Sequence, residues 1–190
     1  PFSGRVVDII PLADGGLVCI GERGGIAGYT HHGTLRWRSR VGKKDSTVLE
    51  AVPLYKIDPA GTSEPAYVTA GAFALCTENG LCVAFTTDGI EMWRRRVEGK
   101  IRGLFSLMGG VALSTREELL IRSYEGELLQ RRKISPSVAS AAGPAGKGGP
   151  NSFLLFRTID GFLRLYDWKG GELWRAAAGG GSCVLASNED

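Results

Sequence analysis

A glycine followed four residues later by tryptophan and then arginine occurs three times in this chain, as Gly33, Trp37 and Arg38, as Gly89, Trp93 and Arg94, and as Gly170, Trp174 and Arg175. Another glycine stands nine residues before each of these, at Gly24, Gly80 and Gly161, and an aromatic residue stands four before, at Tyr29, Phe85 and Tyr166. A weaker fourth copy has Glu117 for the first glycine, Gly126 for the second and Gln130 for the tryptophan, and it keeps Arg131. The second glycines at 33, 89, 126 and 170 are spaced by 56, 37 and 44 residues. A period of about 40 to 45 residues with insertions is the signature of a repeated four-stranded sheet.

Each part of the motif has a physical reason. Asn79-Gly80 and Asp160-Gly161 are hairpin signals, because glycine enters positive φ without steric cost. The apolar runs after them, Leu81-Cys82-Val83-Ala84-Phe85 and Phe162-Leu163-Arg164-Leu165-Tyr166, suit short strands. The second glycine turns the chain into a last strand, on which the tryptophan is expected to cover the gap to the neighbouring sheet. Two further apolar strands precede each unit: Val6 to Leu12 and Leu17 to Gly21, Val48 to Ile57 and Ala66 to Cys76, Ile101 to Leu107 and Val111 to Ser114, Ser137 to Ala142 and Ser152 to Arg157. The expected fold is all-β, a β-propeller of four four-stranded antiparallel blades. The blades are expected at residues 1–46, 47–99, 100–135 and 136–178, with 179–190 an extra strand around Cys183-Val184-Leu185-Ala186 or a tail. Loops interrupt blade two between Asp58 and Pro65 and blade four between Gly143 and Pro150.

The Tyr29-x3-Gly33-x3-Trp37, Phe85-x3-Gly89-x3-Trp93 and Tyr166-x3-Gly170-x3-Trp174 units resemble the tryptophan-docking repeats of pyrroloquinoline-quinone-type propellers, over about residues 1 to 178. That resemblance implies blade docking by Trp37, Trp93 and Trp174 with Gly33, Gly89, Gly126 and Gly170 at the turns. It speaks for architecture and leaves activity open, since such propellers include both enzymes and scaffolds. Four blades are few for this class, so a complete small ring, half of a larger ring and an open arc all compete. An incomplete ring, or one that a partner completes, is the favoured reading. A chain starting at Pro1 also reads as a fragment or a processed product.

Composition narrows the function classes. Glycine at 28 residues is about twice ordinary usage, and it falls at the turns. The net charge of +3 supplies no global field that would compel nucleic-acid or membrane binding. No apolar run approaches the roughly 20 residues that span a bilayer. The cysteines, Cys19, Cys76, Cys82 and Cys183, form no CxxC pair. If Asn79-Gly80 is a two-residue loop, Cys82 lies opposite Thr77 and Cys76 opposite Val83, so the two thiols face opposite sides of the sheet. Buried free thiols are therefore expected, which favours an intracellular, cytoplasmic setting.

Catalytic signals are weak. Quinone-dependent catalysis, as the resemblance would imply it in an enzyme, needs an acidic base, calcium ligands and adjacent cysteines, whereas the acids here sit in turns and no two cysteines adjoin. His31 and His32 are neighbours at a turn and are expected to point apart, and Gly146-Lys147 lacks the Ser or Thr that a phosphate loop requires. No catalytic, cofactor-binding or metal-binding residue is therefore assigned. The basic clusters stand out instead. Arg36, Arg38 and Arg40, then Arg94, Arg95 and Arg96, then Arg131, Arg132 and Lys133 occupy equivalent repeat positions, on strands expected to be outermost. Charge there guards an exposed strand against edge-to-edge pairing. It also offers a surface to an acidic partner or to a nucleic-acid backbone. The expected function is a non-catalytic scaffold for protein–protein interaction within a larger assembly. Nucleic acid through the basic rim is the alternative, and a quinoprotein-type enzyme fragment ranks third.

Overall fold

The computed structural model describes residues 5–42, 47–56, 71–107, 109–133, 137–142, 153–158, 160–167 and 171–177. Among them are sixteen strands in four separate sheets of four, each an antiparallel meander in chain order. The first sheet holds β1 (Val6–Pro11), β2 (Leu17–Gly21), β3 (Gly25–Tyr29) and β4 (Leu35–Arg40). The second holds β5 (Val48–Leu54), β6 (Ala72–Thr77), β7 (Leu81–Thr86) and β8 (Glu91–Arg96). In the third are β9 (Ile101–Leu107), β10 (Gly110–Thr115), β11 (Glu118–Ser123) and β12 (Leu128–Lys133), and in the fourth β13 (Ser137–Ala142), β14 (Phe153–Thr158), β15 (Phe162–Asp167) and β16 (Glu172–Ala177). The second strand of blade two begins at Ala72, and the expected residues 66–70 lie outside the described ones, as do the loop around Gly146-Lys147, Gly170 and the strand expected around Cys183.

The burial pattern runs from inside to outside. The second strands of blades two and three, Ala72–Thr77 and Gly110–Thr115, are buried at every position, whereas the fourth strand of blade one alternates between exposed and half-buried. A strand covered on both faces reads as a continuous apolar run, and the blades supply that cover for one another. β1 packs beside β5, β5 beside β9 and β9 beside β13, so the first strands gather on one side and the fourth strands lie farthest from it.

The core is accordingly a series of seams between blades. Ile10, Val18, Ile20 and Ile26 of blade one meet Ala51, Phe73, Leu75, Val83 and Phe85 of blade two. Ala74, Cys76, Cys82 and Ala84 on the other side of blade two meet Leu104, Val111, Leu113 and Leu120 of blade three. The third seam joins Ala112, Leu119 and Ile121 to Tyr166. Polar staples cross as well: the Leu104 amide donates to the Glu50 carboxylate at 2.9 Å, and the Ser106 hydroxyl donates to the Pro53 carbonyl at 2.7 Å.

The hairpin at Asn79-Gly80 differs from its expected form. The Gly80 amide donates to the Thr77 carbonyl at 3.0 Å, and Gly80 has φ of +75°. No non-glycine residue described has positive φ, so Asn79 does not supply the left-handed conformation that a two-residue type I′ turn demands at both central positions. The loop is the three-residue kind that ends on a left-handed glycine. One extra loop residue shifts the register, and Cys76 pairs directly with Cys82. Both thiols then face the seam with blade three rather than opposite sides of the sheet, and both are free.

Candidate functional site

The repeat motif and the outermost strands coincide in space. On β4, Trp37 lies opposite Gly28 of its own blade, and on β8, Trp93 lies opposite Ala84. These small partners let the indoles lie flat across their own sheet toward the next: a Cβ added at Gly28 would fall 2.4 Å from the Trp37 ring nitrogen. Trp37 then donates its indole N–H to the Thr87 carbonyl of blade two at 2.9 Å, and Trp93 donates to the Tyr124 carbonyl of blade three at 2.8 Å. Both acceptors sit two residues before the second glycine of the following blade. A buried indole N–H needs a partner, and the turn provides one at the same place each time.

The glycine itself is the other half of the contact. A Cβ at Gly89 would fall 2.5 Å from Trp37, and one at Gly126 would fall 2.6 Å from Trp93. Both glycines also have positive φ, +80° and +82°. Two independent demands, a left-handed turn and a ring laid against the α-carbon, therefore meet on one residue. The ring of Trp37 further stacks near-parallel on Phe73 of blade two, with 6.4 Å between centroids.

The tryptophan of the fourth blade and the turn of the first have no such contact among the described residues. Trp174 on β16 is 44% exposed, against 5% for Trp93. At Gly33 the turn has the same form, with the Gly33 amide donating to the Thr30 carbonyl and φ of +78°, yet a Cβ there would meet nothing within 4 Å. His31 and His32, beside it, are exposed, and instead of pointing apart their rings tilt together with centroids 3.7 Å apart.

The basic residues lie on β4, β8 and β12. Arg36, Arg38, Arg40, Arg94, Arg95, Arg96, Arg131 and Lys133 are exposed and Arg132 is half-buried. Several engage acids locally. Arg36 pairs with Asp14, whose carboxyl is held below its usual range first by the Gly16 amide and then by that guanidinium. Arg94 grips both oxygens of Glu91 at 2.9 and 2.6 Å and pulls its carboxyl down, while Arg131 pairs with Glu118 at 2.8 Å and reaches Glu98 at 3.7 Å. Arg95 reaches across the seam to the Gly126 carbonyl at 3.3 Å, where Arg122 also donates at 3.0 Å. Arg122 takes the place that Tyr29, Phe85 and Tyr166 hold in the other copies, and burial pulls its guanidinium pKa down. Nothing in the repeat pattern pointed to Arg122, because it stands where that pattern calls for an aromatic ring.

Three ionisable groups lie along the seams, the buried thiols of Cys76 and Cys82 and the half-buried carboxyl of Glu50. Burial pushes the Cys82 thiol up to about 12 and the Cys76 thiol up as well, which leaves both as unreactive, protonated side chains. Burial also raises the Glu50 carboxyl, against the lowering influence of its bond from the Leu104 amide. Among the described residues no three His, Cys, Asp or Glu side chains gather closely enough to hold a metal ion, and no helix is long and apolar enough to cross a membrane.

Comparison with solved structures places the architecture. A crystal structure of BBS1N in complex with ARL6DN matches 94% of this chain at 15% identity with a TM-score of 0.70. BamB from Moraxella catarrhalis matches 93% at 16% identity with a TM-score of 0.60, and Saccharomyces cerevisiae Sqt1 matches 92% at 12% identity with a TM-score of 0.67. The fold is that of a β-propeller. The chain spans 57%, 51% and 48% of the lengths of these three, about half a propeller-bearing chain in each case. No family model and no curated protein matches the sequence. Among the described residues the outer faces of the first and fourth sheets meet no further blade, which fits an incomplete ring.

Proposed function

We propose that this chain is a non-catalytic propeller scaffold, a subunit of a larger assembly that offers its outer strands to protein partners. The observation that carries this reading is the recurrence of exposed arginines at equivalent positions of β4, β8 and β12, mounted on sheets whose seams are tightly packed. Rigid blades hold such side chains in fixed relation, which suits recognition of an acidic surface. BBS1N, a neighbour in fold, is described in complex with another protein, ARL6DN, and we carry that mode of use to this chain as part of the proposal. We also read the repeat as the tryptophan-docking kind of pyrroloquinoline-quinone-type propellers, a reading supported by the indole contacts at Thr87 and Tyr124. The free, buried thiols of Cys76 and Cys82 support an intracellular setting.

Two observations weigh against the other readings. Trp37 and Trp93 are spent between blades, so on β4 and β8 the cations stand without a free indole plane on which single-stranded nucleic acid could stack, and among the described motif tryptophans only Trp174 is exposed. Asp14, Glu91 and Asp160 are engaged by Arg36, Arg94 and Arg164, which makes them ion-pair partners and poor candidates for a general base.

Affinity capture with the wild-type chain and with a variant carrying Arg94→Glu, Arg95→Glu and Arg96→Glu tests the proposal. Proteins retained by the wild type, released by moderate salt and lost from the variant support it. Retention of the same proteins by both chains refutes the rim. A labelled RNA or DNA that binds at low salt, and weakens steeply as salt rises, would establish the nucleic-acid reading in its place.

A further inference from the structure

Among the described residues, the outer faces of the first and fourth sheets each carry a part of the contact that joins the other blades. Trp174 holds the register position of Trp37 and Trp93, but it faces Leu165 where they face the small Gly28 and Ala84, and it lies 44% exposed. Leu163 and Leu165 beside it are only half-buried, whereas their counterparts in blade one are covered, Ile26 in the seam with blade two and Gly28 under the Trp37 ring of its own blade. At the other end Gly33 has the turn and the positive φ of Gly89 and Gly126 without a ring against it. Ile9 and Leu17 hold the register positions of Ala51 and Phe73, yet Ile9 is 54% exposed where Ala51 is 5% and Phe73 is 0%. The chain therefore carries an unused tryptophan with its apolar surround on blade four, and on blade one the turn that accepts such a tryptophan.

We propose that a second copy of this chain closes the ring, with Trp174 of each copy docked against Gly33 of the other and its indole N–H donated to the His31 carbonyl. The acceptor follows from the repeat, because Thr87 and Tyr124 precede Gly89 and Gly126 by the same two residues. A head-to-tail contact of this kind closes only when the rotations sum to a full turn, and otherwise it grows into a filament. Two copies of four blades make eight, within the usual range of about four to eight blades, while three copies overshoot it. Two copies also supply roughly the length of one BamB or Sqt1 chain. The proposal deepens the assembly reading above, but it is measured on this chain alone, so its failure leaves the basic rim untouched and the failure of the rim leaves the ring untouched.

Sedimentation equilibrium or native mass spectrometry of the purified chain is the test. The expected species is a dimer. Trp174→Ala removes the docking ring from a side chain that is exposed in the single copy, and Gly33→Ala places a methyl where the incoming ring must lie; each variant is expected to be monomeric. Gly99→Ala serves as the control, since Gly99 also has positive φ with nothing within 4 Å of its Cβ position but lies at no docking turn, and it is expected to remain dimeric. Mixing the two monomeric variants is expected to give a heterodimer weaker than the wild-type dimer, because one of its two seams keeps both halves and the other has neither. A folded wild-type chain that stays monomeric at its highest soluble concentration overturns the proposal. So does a dimer that survives both substitutions.

Discussion

Trp93 donates its indole N–H to the Tyr124 carbonyl at 2.8 Å, across the seam between blades two and three, and lies 5% exposed over Gly126. Trp93→Ala removes a large buried ring and leaves that carbonyl without its donor. The expected loss is about 3 to 5 kcal/mol. Trp93→Phe keeps most of the packing and loses the hydrogen bond, for about 1 kcal/mol. Urea unfolding followed by circular dichroism measures both, and equal losses for the two variants would show that the bond, not the ring, holds the seam.

Gly126 tests the other half of the same contact. Gly126→Ala adds a methyl 2.6 Å from the Trp93 ring at φ of +82°, whereas Gly99→Ala adds one in open space at φ of +86°. Both carry the backbone penalty, and only the first carries the clash. The difference in unfolding free energy between the two is expected to be about 1 to 3 kcal/mol, the usual cost of overpacking. A difference near zero places the ring elsewhere in solution.

The Glu50 carboxyl gives a pH signature. Burial holds it above the ordinary glutamate value of 4.5, so the folded chain binds this proton more tightly than the unfolded chain does. Stability from this group is therefore fully present below that value and falls as pH rises from 4.5 to the raised value in the folded state. Glu50→Gln keeps a side-chain oxygen for the Leu104 amide and removes the ionisation. The variant is expected to match the wild type at acid pH and to exceed it in stability above the window. Thermal unfolding of both chains from acid to neutral pH decides it; a gap that narrows as pH rises contradicts the assignment.

The thiols report on the register of the hairpin that joins β6 to β7. With Cys76 and Cys82 buried in one seam, both pushed toward the protonated form, and Cys19 half-buried, a thiol reagent is expected to modify Cys19 before either of them. In a Cys183→Ser background, Cys76 and Cys82 are expected to react only as the chain unfolds, and together. Early modification of one of them alone would restore the opposite-facing arrangement that a two-residue loop implies.

The strands were readable from alternation and from the glycine turns, because a short strand between two tight turns is a local matter. The boundaries were harder where an insertion intervenes, as between β5 and β6. The loop at Asn79-Gly80 misled in a physical way: Asn-Gly favours a two-residue turn by itself, but here the pair closes a three-residue loop and carries Cys82 to a position opposite Cys76. In the same way, the equivalence of Arg38, Arg94 and Arg131 follows from counting along the repeat, while the partner of Arg131, Glu118 on β11, depends on cross-strand geometry and that of Arg94, Glu91, sits three residues back on β8 itself.

By itself, the sequence determined that this chain builds four similar antiparallel sheets, each ending on a strand with tryptophan or its substitute followed by arginine, because turn glycines and apolar alternation act over a few residues. Tertiary structure alone decided which motifs are used. Trp37 and Trp93 reach turns about 50 and 31 residues away, where Thr87 and Tyr124 accept their N–H groups, whereas Trp174 and Gly33 carry the same motif and meet no neighbouring blade. A docking contact needs two surfaces, and a repeat written along the chain specifies each surface without saying which other surface lies against it.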